Sequence, residues 1–154
     1  MPAGYLQTML KKLNKGFTLL ELLLSVAVIS ALAGLSLPVY RTLLTKNDLD
    51  IATVAIAQSS RRAQVLSQAV DGDTSWGLKV QNGSIVIFKG ANYSARDTNF
   101  DEVFDMPGSI GVGGATETVF AKFTGFPQTT GTISLSTESD SRSLTINEKG
   151  TISY

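Results

Sequence analysis

The chain has 154 residues, 13 basic and 13 acidic, and a formal net charge of zero. It contains no cysteine and no histidine, which excludes thiol nucleophiles, disulfides, Cys/His zinc sites and Ser-His-Asp chemistry. The length fits about one domain, and the balanced charge offers no basic surplus for nucleic acid.

Residues 1–16 are polar and basic, with Lys11, Lys12 and Lys15 close together. Residues 17–37 are almost wholly apolar, about the 20 residues a helix needs to cross a ~30 Å hydrocarbon core. Pro38 is expected to end or kink that helix, because proline lacks the N–H donor and crowds the preceding turn.

The helical pattern resumes over 38–70. Leu49, Ala52, Ile56, Ala63, Leu66 and Val70 share one face at spacings of three, four or seven. Asp50, Thr53, Arg61, Gln64 and Gln68 fall on another. A narrow, small-residue stripe of this kind suits a helix lying on a sheet. From Phe17 to about Val70 such a helix would be roughly 80 Å long. A domain of this size could not bury it, so its first half must be covered by a membrane, a filament core, or both in turn. Asp71-Gly72-Asp73 is the expected stop.

Residues 71–154 read as strands. Segments 76–80 and 85–88 flank Asn82-Gly83, a pair suited to a type I′ hairpin. Segments 119–123, 132–136, 143–147 and 151–154 alternate apolar and polar residues, with a turn at 147–150. Residues 89–118 are irregular apart from a short strand near 110–112. The expected class is α+β: a long N-terminal helix packed on an antiparallel sheet of about five to seven strands.

Glu21 is the anomaly, a carboxylate inside the apolar run. Three readings of the N-terminus compete. A secretory signal peptide would be cut after Ala33, within Ala31-Leu32-Ala33, and would release a soluble β-rich domain. An uncut signal-anchor gives Glu21 no purpose, and a charge within a spanning helix is costly. Cutting between Gly16 and Phe17 instead keeps the apolar segment and creates a new ammonium at Phe17. Glu21 then lies one helical turn away and gains a natural partner, on its own chain or on a neighbour.

Lys15-Gly16-Phe17-Thr18-Leu19-Leu20-Glu21, followed by an apolar run and Pro38, resembles the class III leader and N-terminal helix of type IV pilins and type II secretion pseudopilins. The resemblance implies a pilin fold and a precursor cut after Gly16 by a prepilin peptidase, which then methylates Phe17. It marks Glu21 and Thr18 as assembly positions and Pro38 as the helix kink. It implies as partners other pilin or pseudopilin subunits, an assembly ATPase and platform protein, and the inner membrane before assembly. Trp76-Gly77-Leu78-Lys79-Val80, Phe123-Thr124-Gly125-Phe126-Pro127 and the closing hairpin are similar to the GspH/FimT-like minor subunits, with a major or competence-type pilin as the alternative. The leader, at 16 residues, is longer than is usual, and Met9 offers an alternative start. DNA-binding members carry an arginine-containing motif near the end, which Glu148-Lys149-Gly150-Thr151-Ile152 lacks, so no nucleic-acid partner is expected.

Other features have ordinary readings. Gly111-Val112-Gly113-Gly114 lacks the Gly-Lys-Ser/Thr ending of a phosphate loop and reads as a flexible loop. Asp71-Gly72-Asp73 begins like a calcium loop, but Asn82 stands where the twelfth-position glutamate belongs. Asp97, Asp101, Glu102 and Asp105 read as a solvated acidic loop. Asn82 and Asn92 head glycosylation sequons. Arg61-Arg62 reads as an exposed face or as inter-subunit pairs to Asp48 or Asp50. No spacing of carboxylates picks out an acid/base pair, and no catalytic residue, metal or cofactor is assigned.

Overall fold

The structure is a computed structural model that describes residues 16–154; the side chains of residues 35–39, 41 and 42 lie outside that description. Residues 1–15 lie outside it too, and with them the three leader lysines, Met9 and most of the expected leader. The chain divides into two units, Met1–Arg41 and Thr42–Tyr154.

One helix, α1, runs Leu19–Gln68. In the first unit its described side chains are all exposed; Leu19 and Leu20 stand 78% and 77% open and Ile29 64%. The helix passes through position 38 instead of ending there. Packing of its later turns offsets the hydrogen bond a proline removes.

In the second unit α1 packs its small-residue face into the core. Leu49, Ala52, Ile56, Ala57 and Ala63 are buried with residues of both sheets. Thr53, expected on the polar face, is buried and donates its hydroxyl to the Leu49 carbonyl at 2.7 Å, a partner that makes its burial inexpensive. The opposite face is not purely polar: Ile51, Val54 and Val65 are exposed there. The helix ends two residues before Val70, which takes a left-handed φ of 56°.

Eight strands follow: β1 Trp76–Gln81, β2 Ser84–Lys89, β3 Asp97–Asp105, β4 Gly111–Gly114, β5 Glu117–Phe120, β6 Gly131–Ser136, β7 Ser141–Ile146 and β8 Ile152–Ser153. They form two four-stranded antiparallel sheets, ordered β3-β2-β1-β5 and β4-β6-β7-β8. The α+β pilin-type architecture therefore holds, with two sheets in place of one. The alternating strands β6 and β7 turn Ile133, Leu135, Leu144 and Ile146 into the core shared with α1. The first sheet differs: β2 is buried at Ile85, Val86, Ile87 and Phe88 in succession. Its outer face is covered by Tyr93, whose ring meets Phe88 edge-on at 5.6 Å.

The β1–β2 hairpin turns on Asn82-Gly83 as expected, but only Gly83 has a positive φ, 85°, so the turn is not type I′. Asn82 instead accepts the Val112 N–H at 3.0 Å, joining this turn to the edge of the second sheet.

Candidate functional site: the start of the long helix

Thr18 immediately precedes α1, and its hydroxyl accepts the Glu21 N–H at 3.2 Å. Thr18-Leu19-Leu20-Glu21 has the spacing of a capping box, in which the first and fourth residues satisfy the otherwise unpaired donors of the first turn. The Glu21 carboxylate also lies in the first turn, where the helix dipole favours negative charge. The Ser25 hydroxyl donates to the Glu21 carbonyl at 2.7 Å. Among the described residues the Glu21 carboxylate itself has no ion-pair partner.

Glu21 thus gives its backbone N–H to the Thr18 cap and sets its carboxylate in the first turn of α1. The signal was in the sequence: a Thr three residues before a Glu at the head of an apolar run. Fixing where the helix starts also fixes the offset between Phe17 and Glu21, which is one turn. Phe17 is 82% exposed, and among the described residues nothing approaches within 4 Å of the position a Gly16 side chain would occupy. Both Gly16 and Phe17 lie outside the helix. The side chain of Pro38 lies outside the described residues.

Among the described residues no helix is long and apolar enough to cross a membrane. The helical run with described side chains stops at Gly34, short of the ~20 residues a span needs, and the side chains of residues 35–37 lie outside the description.

Several of the remaining sequence candidates have structural partners. Arg62 forks onto Glu102, with two bonds of 2.6 Å, and Arg142 bonds Asp50 at 3.1 Å, so neither Arg62 nor Asp50 is free for a neighbour. Arg96 grips Asp101 at 2.8 Å. Among the described residues no three carboxylates converge as metal ligands. Residues 97–105, expected as a loop, form the edge strand β3. Asn92 caps a short 3-10 turn by accepting the Ala95 N–H at 2.8 Å. Gly111–Gly114 is strand, not a loop, and Thr132 and Ser134 fill the space that side chains on Gly114 and Gly113 would need.

A family model, the prokaryotic N-terminal methylation motif, matches residues 11–37. No curated protein and no solved structure gives a significant match to the chain. The matched segment contains Gly16, Phe17, Thr18 and Glu21 and ends one residue before Pro38, and it speaks for a type IV pilin-like precursor whose leader is removed by prepilin peptidase.

Proposed function

We propose that this chain is a structural subunit of a type IV pilus or type II secretion pseudopilus, of the minor, GspH/FimT-like kind. The observation that carries the reading is the methylation motif placed on the first part of α1, where the described apolar side chains are all exposed. Such a surface needs a medium, and a membrane followed by a filament core supplies one at each stage.

Residues 1–16 are the leader, held on the cytoplasmic side by its lysines. Residues 17–37 span the inner membrane once. Prepilin peptidase cuts after Gly16 and methylates Phe17. The new ammonium of one subunit then pairs with Glu21 of its neighbour, which favours correct register because a slipped neighbour would leave both charges buried and unpaired. Assembly by the ATPase and platform protein moves the helix from lipid into a protein core, with residues 71–154 outside in the periplasm or beyond the cell. Pro38 supplies the bend between the two parts of the helix. The role is structural and not enzymatic.

The test is mass spectrometry of the N-terminal peptide from the native host. A methylated Phe17 is the expected result. A start at Gly34 would replace the reading with a signal peptide and a soluble β-rich domain. Gly16→Leu should leave the leader attached, whereas Glu21→Val should be processed normally yet reach sheared filaments at least about tenfold less, since a lost buried pair is worth several kcal/mol.

A further inference from the structure

β3 is the edge of the first sheet, and its hydrogen-bonding frame follows from its neighbours. The Met106 N–H donates to the Gly83 carbonyl at 3.0 Å. In the same register Asp105 stands opposite Ser84, Phe104 opposite Ile85 and Val103 opposite Val86. Opposed pairs in an antiparallel ladder alternate between bonded and unbonded. Phe104 and Glu102 therefore turn their backbone groups toward β2, while Val103 and Asp105 turn theirs to the open edge. Two N–H groups and two carbonyls stand there, and among the described residues none has a partner.

Side chains alternate in step. Ile85 and Ile87 point into the core, so Phe104 and Glu102 opposite them lie on the core face, and Val103 and Asp105 lie on the outer one. Phe104 is 41% and Val103 58% exposed. On the core side of the edge, Phe104 and the α1 residues Ala55, Gln58 and Ser59 line a groove of about 440 Å³, with the Arg62–Glu102 fork as its polar wall. The volume is that of an ordinary binding cleft, roughly 300–1,000 Å³. Unpaired backbone groups beside an apolar hollow leave this sheet unfinished on one side.

Charge decides which strand can finish it. β3 carries four carboxylates, of which Arg96 holds Asp101 and Arg62 holds Glu102. Asp97 and Asp105 have no ion-pair partner among the described residues. An acidic strand laid beside them is repelled and a basic one is attracted. We propose that β3 takes up an extended basic segment of a partner protein as a fifth, antiparallel strand of the first sheet. Apolar side chains of that segment lie beside Phe104 and fill the groove. Its lysines or arginines lie on the outer face, beside Asp105. The contact takes one partner segment per subunit. It does not rest on the filament reading, since every residue it uses lies in the second unit.

The probe is a labelled peptide, Lys-Val-Lys-Leu-Lys-Val-Lys, titrated with the full chain in detergent and read by fluorescence anisotropy. As a strand it sets its lysines on one face and its apolar residues on the other. In the antiparallel frame the lysine N–H groups face β3 and those of valine and leucine face away. Methylating the lysine amide nitrogens should therefore weaken binding about tenfold or more, through the lost backbone hydrogen bonds. Methylating the valine and leucine amides should leave it within about twofold. Glu-Val-Glu-Leu-Glu-Val-Glu should not bind the parent chain, and Asp105→Lys should weaken the basic peptide several-fold. Val103→Pro removes one outward N–H, which an edge strand tolerates, and Ala55→Phe fills the groove; each should weaken the peptide at least about fivefold. If either variant fails to fold, the two methylated peptides decide the matter on the parent chain. No binding of the basic peptide, equal or reversed effects of the two methylations, or equal binding of the acidic peptide overturns the proposal.

Discussion

Phe123 has a φ of 70° although its side chain is bulky, and 70% of its surface faces solvent. A left-handed backbone costs a non-glycine residue ~1–2 kcal/mol, and here the surroundings enforce it. The Phe123 N–H donates to the Ser67 carbonyl at 3.1 Å, and Gln68 donates to the Thr124 carbonyl at 3.2 Å. Because the ring packs on little, Phe123→Gly should raise stability by ~0.5 kcal/mol, after the extra freedom of glycine in the unfolded chain is subtracted. Phe123→Ala keeps the strain and should give no gain. Fluorescence of Trp76, the single tryptophan and buried at 3% exposure, reports the unfolding midpoint in detergent. Equal midpoints for the Gly and Ala variants would refute the strain. At this scale the sequence was legible where chemistry is local. Thr18 and Glu21 show their capping relation in four consecutive letters, whereas nothing near Phe123 announces its backbone, which depends on α1 more than fifty residues earlier.

The elements show the same division. β6 and β7 alternate cleanly because one face meets the core and the other meets water, so their sequence predicts them. β3 reads Asp-Thr-Asn-Phe-Asp-Glu-Val-Phe-Asp, with four carboxylates, and it escaped notice because such residues disfavour strands. It is an edge strand, where charge is tolerated and discourages pairing with stray chains. The division into two sheets was illegible for a different reason: it depends on which strands pair across long separations, such as β1 with β5. Glycine in β1 has a packing cause. Gly77 stands opposite Phe88, and a Cβ there would lie 2.4 Å from the Phe88 ring. Phe88 is fully buried against Val119 and Tyr93 and has nowhere to move. Gly77→Ala should therefore cost ~1–3 kcal/mol by overpacking, read as a lower Trp76 midpoint. A neutral result would mean that the Tyr93 loop lifts easily from the sheet. Leader cleavage should be unaffected, since residues 16–17 lie in the other unit.

For the molecule as a whole, the missing histidines matter as much as the charges that are present. No side chain with an ordinary pKa near neutrality exists to make stability change between pH 5 and 8. The second unit is held at several points by exposed ion pairs, and two of its carboxyls sit below the usual aspartate range. Asp73 is lowered by the hydrogen bond and charge of Lys122, and Asp140 by the Ser141 N–H and then by Arg142. A depressed carboxyl contributes stability above its unfolded pKa, and that contribution disappears as pH falls through the lower folded value. The arginines Arg62, Arg96 and Arg142 are shifted upward by their hydrogen-bonded carboxylates, so they stay charged throughout. The expected profile is a Trp76 midpoint that is flat from pH 8 to 5 and drops below about pH 4, where unperturbed aspartates begin to protonate. Asp73→Asn and Asp140→Asn should each start lower at pH 7 and lose less on acidification, so that the three curves converge at low pH. A transition between pH 5 and 7, or variant curves parallel to the parent's down to pH 2, would show that these two carboxyls do not set the acid limit of the fold.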